Sequence, residues 1–173
     1  DVYKRQTLNW KDVETDFEHW EGKFPHMYLD TKGLITVGIG KMLPNVAAAK
    51  ALGFVRRSDG AIATAAEIEI DFLEVSKQPM GKLAKRYKKH TQLDLPDDLI
   101  YSLLRTVVNG FENDLAANFD GYRTYPVNVK RALLDMIYNL GLRGLLKFKN
   151  LKKAVESRDW KEAAKHCHRI GPS

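Results

Sequence analysis

The sequence predicts a mainly α fold, of the α+β class, with one small sheet near the N-terminus. Three observations lead there. Apolar residues recur at helical spacing over most of the chain, residues 26–40 read as a glycine-punctuated hairpin, and proline, glycine and capping residues punctuate the elements. With 173 residues, 44% hydrophobic and 29% charged, the chain is one domain, or one domain with two lobes, and is long enough to bury a core.

TLNWKDVETDFEHWEG opens the helical pattern, with Asn9 as N-cap and acidic residues in the first turns. Trp10, Val13, Phe17 and Trp20 form one apolar stripe that is expected to enter the core, and Gly22 and Pro25 end the helix. HMYLD and LITVGIG flank the polar turn TKG as two short strands, with β-branched Ile35, Thr36, Val37 and Ile39 favouring extension. VAAAKALG is a short helix closed by glycine, and RRSDGAIAT a loop. Thr64 and Glu67 form a capping box that starts the helix TAAEIEIDFLEVSKQ. GKLAKRYKKH reads as a short basic helix with Lys82, Lys85, Arg86 and Lys89 on one face, and Leu83 and Tyr87 on another. A long helix follows Pro96, and Pro126 opens VNVKRALLDMIYNLG, which Gly141 closes. RGLLKFK, NLKKAVES and RDWKEAAKHCHR add short helices.

The net charge of +6 points to an anionic partner such as nucleic acid, acidic lipid or an acidic polymer. A single cysteine, Cys167, excludes an intrachain disulfide. No apolar run approaches the roughly 20 residues that span a bilayer. DVYKRQ at the N-terminus has no signal-peptide core; it matches the translation of a transposon-end sequencing adapter, so Asp1–Gln6 is expected to be foreign to the fold.

Common chemistries fail on spacing. GIGK at 38–41 lacks the first glycine of a phosphate loop, where Ile35 stands, and has Met42 in place of the hydroxyl residue. Leu43 occupies the third glycine position of a dinucleotide fingerprint. His166, Cys167 and His168 are consecutive on a helix and point in different directions, so they do not converge on a metal. No nucleophile elbow and no HExxH is present, and neither a metal nor a cofactor is expected.

Three residues around the hairpin carry a different chemistry. Glu21 closes the first helix, where a negative charge opposes the dipole, and stands between Trp20 and Phe24; both features favour the protonated form of a general acid. Asp30 ends the first strand at a hydrated turn, and Thr36 lies on the returning strand. A carboxylate and a hydroxyl facing one another hold and orient a water. A protonated carboxyl with a second carboxylate and a positioned water is the set that glycosidic hydrolysis needs.

The spacing E-G-x8-D-x2-G-x2-T-x-G-x-G, with Tyr28 before the aspartate, resembles the phage-type (T4-like) lysozymes. Glu21, Asp30 and Thr36 match three catalytic positions without a gap, and Gly33, Gly38 and Gly40 match the hairpin glycines. Residues 129–167, VKRALLDMIYNLGLRGLLKFKNLKKAVESRDWKEAAKHC, are similar to the helical lobe of that family. The resemblance runs from Leu8 to Ser173 and is weak between Pro44 and Tyr125. It implies a two-lobed lysozyme-like fold, a single domain over 7–173, with a small N-terminal hairpin lobe, a helical C-terminal lobe and a cleft for alternating N-acetylglucosamine and N-acetylmuramic acid. The implied reaction is hydrolysis of the β-1,4 bond after N-acetylmuramic acid, with lysis of bacteria as its consequence. Glu21 is the implied acid, Asp30 the base or cation stabiliser, and Thr36 the water holder. Inversion is the implied outcome, with the carboxyls ~6.5–9.5 Å apart. Met42, Tyr138 and Asn139 are the implied substrate contacts. The implied partner is the peptidoglycan glycan strand, met at the wall by a monomer made in the cytoplasm, with no nucleic acid. A chitin-like glycosidase and a catalytically weak wall-binding or nucleic-acid-binding helical module are the rival readings.

Two departures stand out. Lys41 occupies a position where the family often has a histidine, and the family continues past the equivalent of Gly171–Ser173 with a closing helix and an arginine that pairs with the catalytic glutamate. The chain is therefore expected to be truncated at its C-terminus.

Overall fold

The structure, a computed structural model, describes residues 7–167. The N-terminal hexapeptide, His168 and the expected truncation point lie outside those residues. Two compact units divide the chain: Glu14–Arg105, and Thr106 onward together with the residues up to Val13. The first unit carries the sheets and the second is helical, in line with the expected α+β architecture.

Helix α1 spans Trp10–Glu21, and Asn9 caps it as expected, its Oδ1 accepting from Lys11 N at 2.9 Å. Of the apolar stripe, Val13 and Phe17 are buried, while Trp10 and Trp20 are half-buried. Strands β1 (Phe24–Leu29), β2 (Ile35–Gly38) and β3 (Lys41–Met42) form an antiparallel sheet in the order β1-β2-β3. Its core positions include Met27 and Val37, and Ile39 in the turn after β2 is buried as well. The pairing of β1 with β2 shifts register between Phe24 and Tyr28, the stretch that holds Pro25. A proline has no ladder donor, so an irregularity is where it fits.

After α2 (Val46–Lys50) comes β4 (Val55–Arg56), whose second residue opens the segment read as a loop and which pairs antiparallel with β5 (Leu93–Asp94). Two-residue strands leave no period-2 pattern to read, and this ribbon is fixed by side chains instead. Arg57 donates to both carboxylate oxygens of Asp94 (3.1 and 2.9 Å) and to Thr91 O at 2.8 Å. Asp71, buried on α3 (Ala65–Ser76), accepts from Gln92 N at 2.9 Å and Leu93 N at 3.0 Å. Burial raises the Asp71 carboxyl above its ordinary range, against the lowering pull of those amides and of Arg57. The capping box of Thr64 and Glu67 starts α3 as expected.

The basic segment forms a 3-10 helix, Ala84–His90, rather than an α-helix. Tyr87 is buried and its hydroxyl donates to Pro79 O at 2.7 Å, while Leu83 is 61% exposed. Helix α4 (Asp97–Asn118) follows Pro96, whose carbonyl accepts from Leu99 and Ile100 N.

In the second unit, α5 (Val127–Leu145) starts after Pro126 and is broken at Gly141, which takes φ 68° and ψ 167°. The sequence thus placed this helix end correctly. Helices α6 (Lys149–Glu156) and α7 (Trp160–His166) are the last among the described residues. Tyr125 packs edge-on against Tyr122 (5.8 Å between centroids) and Trp160 (5.6 Å), joining the turn before α5 to α7.

Candidate active site

Glu21 is the last residue of α1 and is half-buried. The chain reverses directly after it, because Gly22 takes φ +76°. An L side chain there would be strained, and a Cβ would stand 2.7 Å from the Phe24 ring. Lys23 then secures the reversal. Its ammonium donates to Asp97 Oδ2 (3.1 Å) and Tyr101 Oη (3.2 Å), and Tyr101 Oη donates to Glu18 Oε2 at 3.0 Å. These partners, Tyr101 first, raise the Lys23 pKa above its ordinary value. The helix end that bears Glu21 is thereby tied to the start of α4.

Asp30 sits at the end of β1 and closes the hairpin turn. Its Oδ1 accepts from the backbone N–H of Lys32 and of Leu34, each at 2.9 Å. Its own N–H donates to Leu34 O, and its carbonyl accepts from Gly33 N, each at 2.9 Å. Gly33 holds φ +78° at the next corner, and Gly38 and Gly40 take +67° and +66°. The three motif glycines are thus positions where the backbone enters the left-handed region that glycine tolerates. Both side-chain hydrogen bonds converge on Oδ1, so the turn fixes the carboxylate plane while Oδ2 keeps its lone pairs for another partner.

Thr36 is buried on β2 and its hydroxyl donates to Leu34 O at 3.0 Å. That bond uses the only hydroxyl proton, so the Thr36 oxygen meets a further partner as an acceptor. Thr36 pairs directly with Tyr28 on β1 and with Met42 on β3, making one cross-strand row. Tyr28 is 7% exposed. Its hydroxyl pKa is pushed up to about 12, first by burial and then by the negative charges of Glu21 and Asp30. Tyr28 therefore lies within electrostatic reach of both carboxylates and directly opposite Thr36.

The chain is similar to "Probable T4-type lysozyme 2" of Dictyostelium discoideum, with 26% identity over 144 residues, 83% of this chain and 74% of that protein. No protein-family model matches the chain.

Among the expected substrate contacts, Met42 shares the row of Thr36 and is 46% exposed. Tyr138 and Asn139 belong to the helical unit. Tyr138 packs edge-on against Phe111, 6.0 Å between centroids. Asn139 is exposed, and its amide nitrogen donates to Asp135 O (2.8 Å) and Asp135 Oδ1 (2.7 Å). Lys41 is half-buried at the start of β3. Sequence reasoning named Tyr28 only as a motif neighbour and passed over Lys23. The signal for Tyr28 was its period-2 spacing from Asp30; Lys23 pairs with residues more than 70 positions away, which no local pattern reports.

Proposed function

We propose that the chain is a peptidoglycan-cleaving glycosidase, a muramidase that hydrolyses the β-1,4 bond following N-acetylmuramic acid. What supports this reading is Tyr28, which pairs with Thr36 across the hairpin and feels the charges of both Glu21 and Asp30. The distant relative named as a T4-type lysozyme supports it. Glu21 protonates the leaving glycosidic oxygen. A water gives one proton to Asp30 Oδ2 and turns its other hydrogen to Thr36 Oγ1, which leaves a lone pair directed at the anomeric carbon. The product is inverted. Met42 touches the glycan beside this water; Tyr138 and Asn139 are assigned to substrate on the family resemblance alone. The enzyme works as a monomer at the cell wall and lyses bacteria.

Glu21→Gln tests the assignment. It keeps the shape of the side chain but cannot donate the proton, so release of reducing sugar from purified peptidoglycan should fall by about 10²–10⁴-fold or more with the circular dichroism unchanged. Activity within a few-fold of the parent would overturn the reading. The same assay on chitin oligomers separates the muramidase from a chitin-directed glycosidase.

A further inference from the structure

Beside β4 and β5, a shallow depression of about 680 Å³ is walled by Arg57 and by four cations of the 3-10 helix, Lys85, Arg86, Lys88 and Lys89; no carboxylate lines it. We propose that this basic groove binds a linear, non-aromatic polyphosphodiester, the chemistry of the anionic glycerol-phosphate polymers of cell walls.

The four helix cations form no ion pair among the described residues, which is also true of Lys32, Lys41 and Lys82 of the same unit, whereas Lys23, Lys50, Arg56, Arg57, Lys77 and Arg105 have carboxylate partners. In a 3-10 helix residues i and i+3 eclipse, so Lys85 stacks under Lys88 and Arg86 under Lys89, about 6 Å apart along the axis. Like charges so stacked repel. The helix dipole accounts for Lys88 and Lys89, which lie in the last turn, but not for Lys85 and Arg86. An anion between the two rows removes that repulsion.

The groove is also preorganised. Tyr87 anchors the helix to Pro79 O at 2.7 Å, and His26 Nε2 donates to Ala84 O at 2.9 Å. Arg57 is held by Asp94, by Thr91 O and by Thr91 Oγ1 (2.8 Å). The cations therefore ride on a fixed backbone, which limits the ordering cost of binding.

The partner's class follows from what the groove lacks. Single-stranded nucleic acid is held by aromatic platforms between the cations. Tyr87, the one Phe, Tyr or Trp of this helix, is turned into the core at 2% exposure. The exposed row of cations suits repeated phosphate charge on a flexible, non-stacking polymer, recognised by charge-assisted hydrogen bonds.

The test is direct binding of a labelled poly(glycerol phosphate) chain to the full protein, so it stands apart from the glycosidase reading. Two variants are compared: Lys85, Arg86, Lys88 and Lys89 all changed to Gln, and a control with Lys147, Lys149, Lys153 and Lys161 changed to Gln in the helical unit. Both lose the same charge. The groove variant should bind at least tenfold more weakly with unchanged circular dichroism, and the control should stay within about threefold. Parental affinity should drop tenfold or more between about 50 and 200 mM salt, as expected for some four phosphate contacts. Equal loss in both variants, or in neither, overturns the proposal. So does tighter binding of a single-stranded oligonucleotide, or of anionic vesicles, at the same groove.

Discussion

Tyr28 and Thr36 stand directly opposite one another across the hairpin, and Thr36 pairs on its other side with Met42. This row places a buried phenol that feels both Glu21 and Asp30 against the hydroxyl assigned to the water. If that hydroxyl orients the nucleophile, Thr36→Val should lower the peptidoglycan hydrolysis rate by roughly 10²-fold, while Thr36→Ser restores most of it. Val keeps the shape but removes one of the two hydrogen bonds that Leu34 O accepts, the other coming from Asp30 N, so a modest stability loss of up to about 1 kcal/mol is expected as well. Rates measured under single-turnover conditions, with melting temperatures alongside, separate the two effects. A Val variant as fast as Ser removes Thr36 from the mechanism.

Stereochemistry provides an independent check. A water held by Asp30 and Thr36 attacks the face opposite the leaving group, so the freshly released sugar should carry the inverted anomeric configuration. Proton NMR of the first product, taken before mutarotation, reads this directly. Retention would mean that Asp30 itself attacks the sugar and that Thr36 has no water to hold.

The motif was legible because it is local and backbone-driven. Its glycines at 33, 38 and 40 all take positive φ, so their spacing encodes the turn geometry itself. The helix ends at Asn9, Thr64, Pro126 and Gly141 were legible for the same reason, since caps and breakers act within a few residues. What escaped reading was non-local. The β4–β5 ribbon depends on Arg57 reaching Asp94 and on Asp71 reaching residues 92 and 93, pairings that leave no periodic trace. The 3-10 form of Ala84–His90 likewise depends on tertiary anchors at Tyr87 and Ala84 rather than on its composition.

Glycine substitutions should show that the hairpin needs both conformation and space. Gly38 has φ +67°, and a Cβ there would meet Ile100 Cγ2 at 3.3 Å. Gly38→Ala should cost about 1–2 kcal/mol for the left-handed backbone, and more if Ile100 cannot yield. Gly60 has φ +74° with nothing within 4 Å, so Gly60→Ala should cost only the conformational part. Gly110 lies inside α4 with no neighbour within 4 Å, and Gly110→Ala should stabilise by ~0.4–1 kcal/mol. Chemical denaturation of the three variants checks the order: 38 worst, 60 intermediate, 110 better than the parent.

The acid sensitivity of the sheet-bearing unit should trace in part to His26. This residue is 4% exposed, on β1, and its Nε2–H donates to Ala84 O at 2.9 Å. Burial lowers its pKa below the ordinary 6.5, and the nearby positive charges of Arg57 and Lys88 push the same way, against the hydrogen bond to Ala84 and the charge of Asp94. The sign follows from linkage. Below pH 6.5 the unfolded chain takes up a proton that the folded chain refuses, so the stabilisation is complete above that pH and is lost as the pH falls through the lower folded value. Protonation would also put a third positive charge beside Arg57 and Lys88. The expected outcome is a melting temperature that declines from about pH 7 to pH 5. In His26→Gln, which keeps a donor for Ala84 O but does not titrate, the starting stability should be lower and this decline shallower. Guanidinium unfolding of both proteins at several pH values gives the comparison, and parallel curves would show that His26 does not carry the dependence.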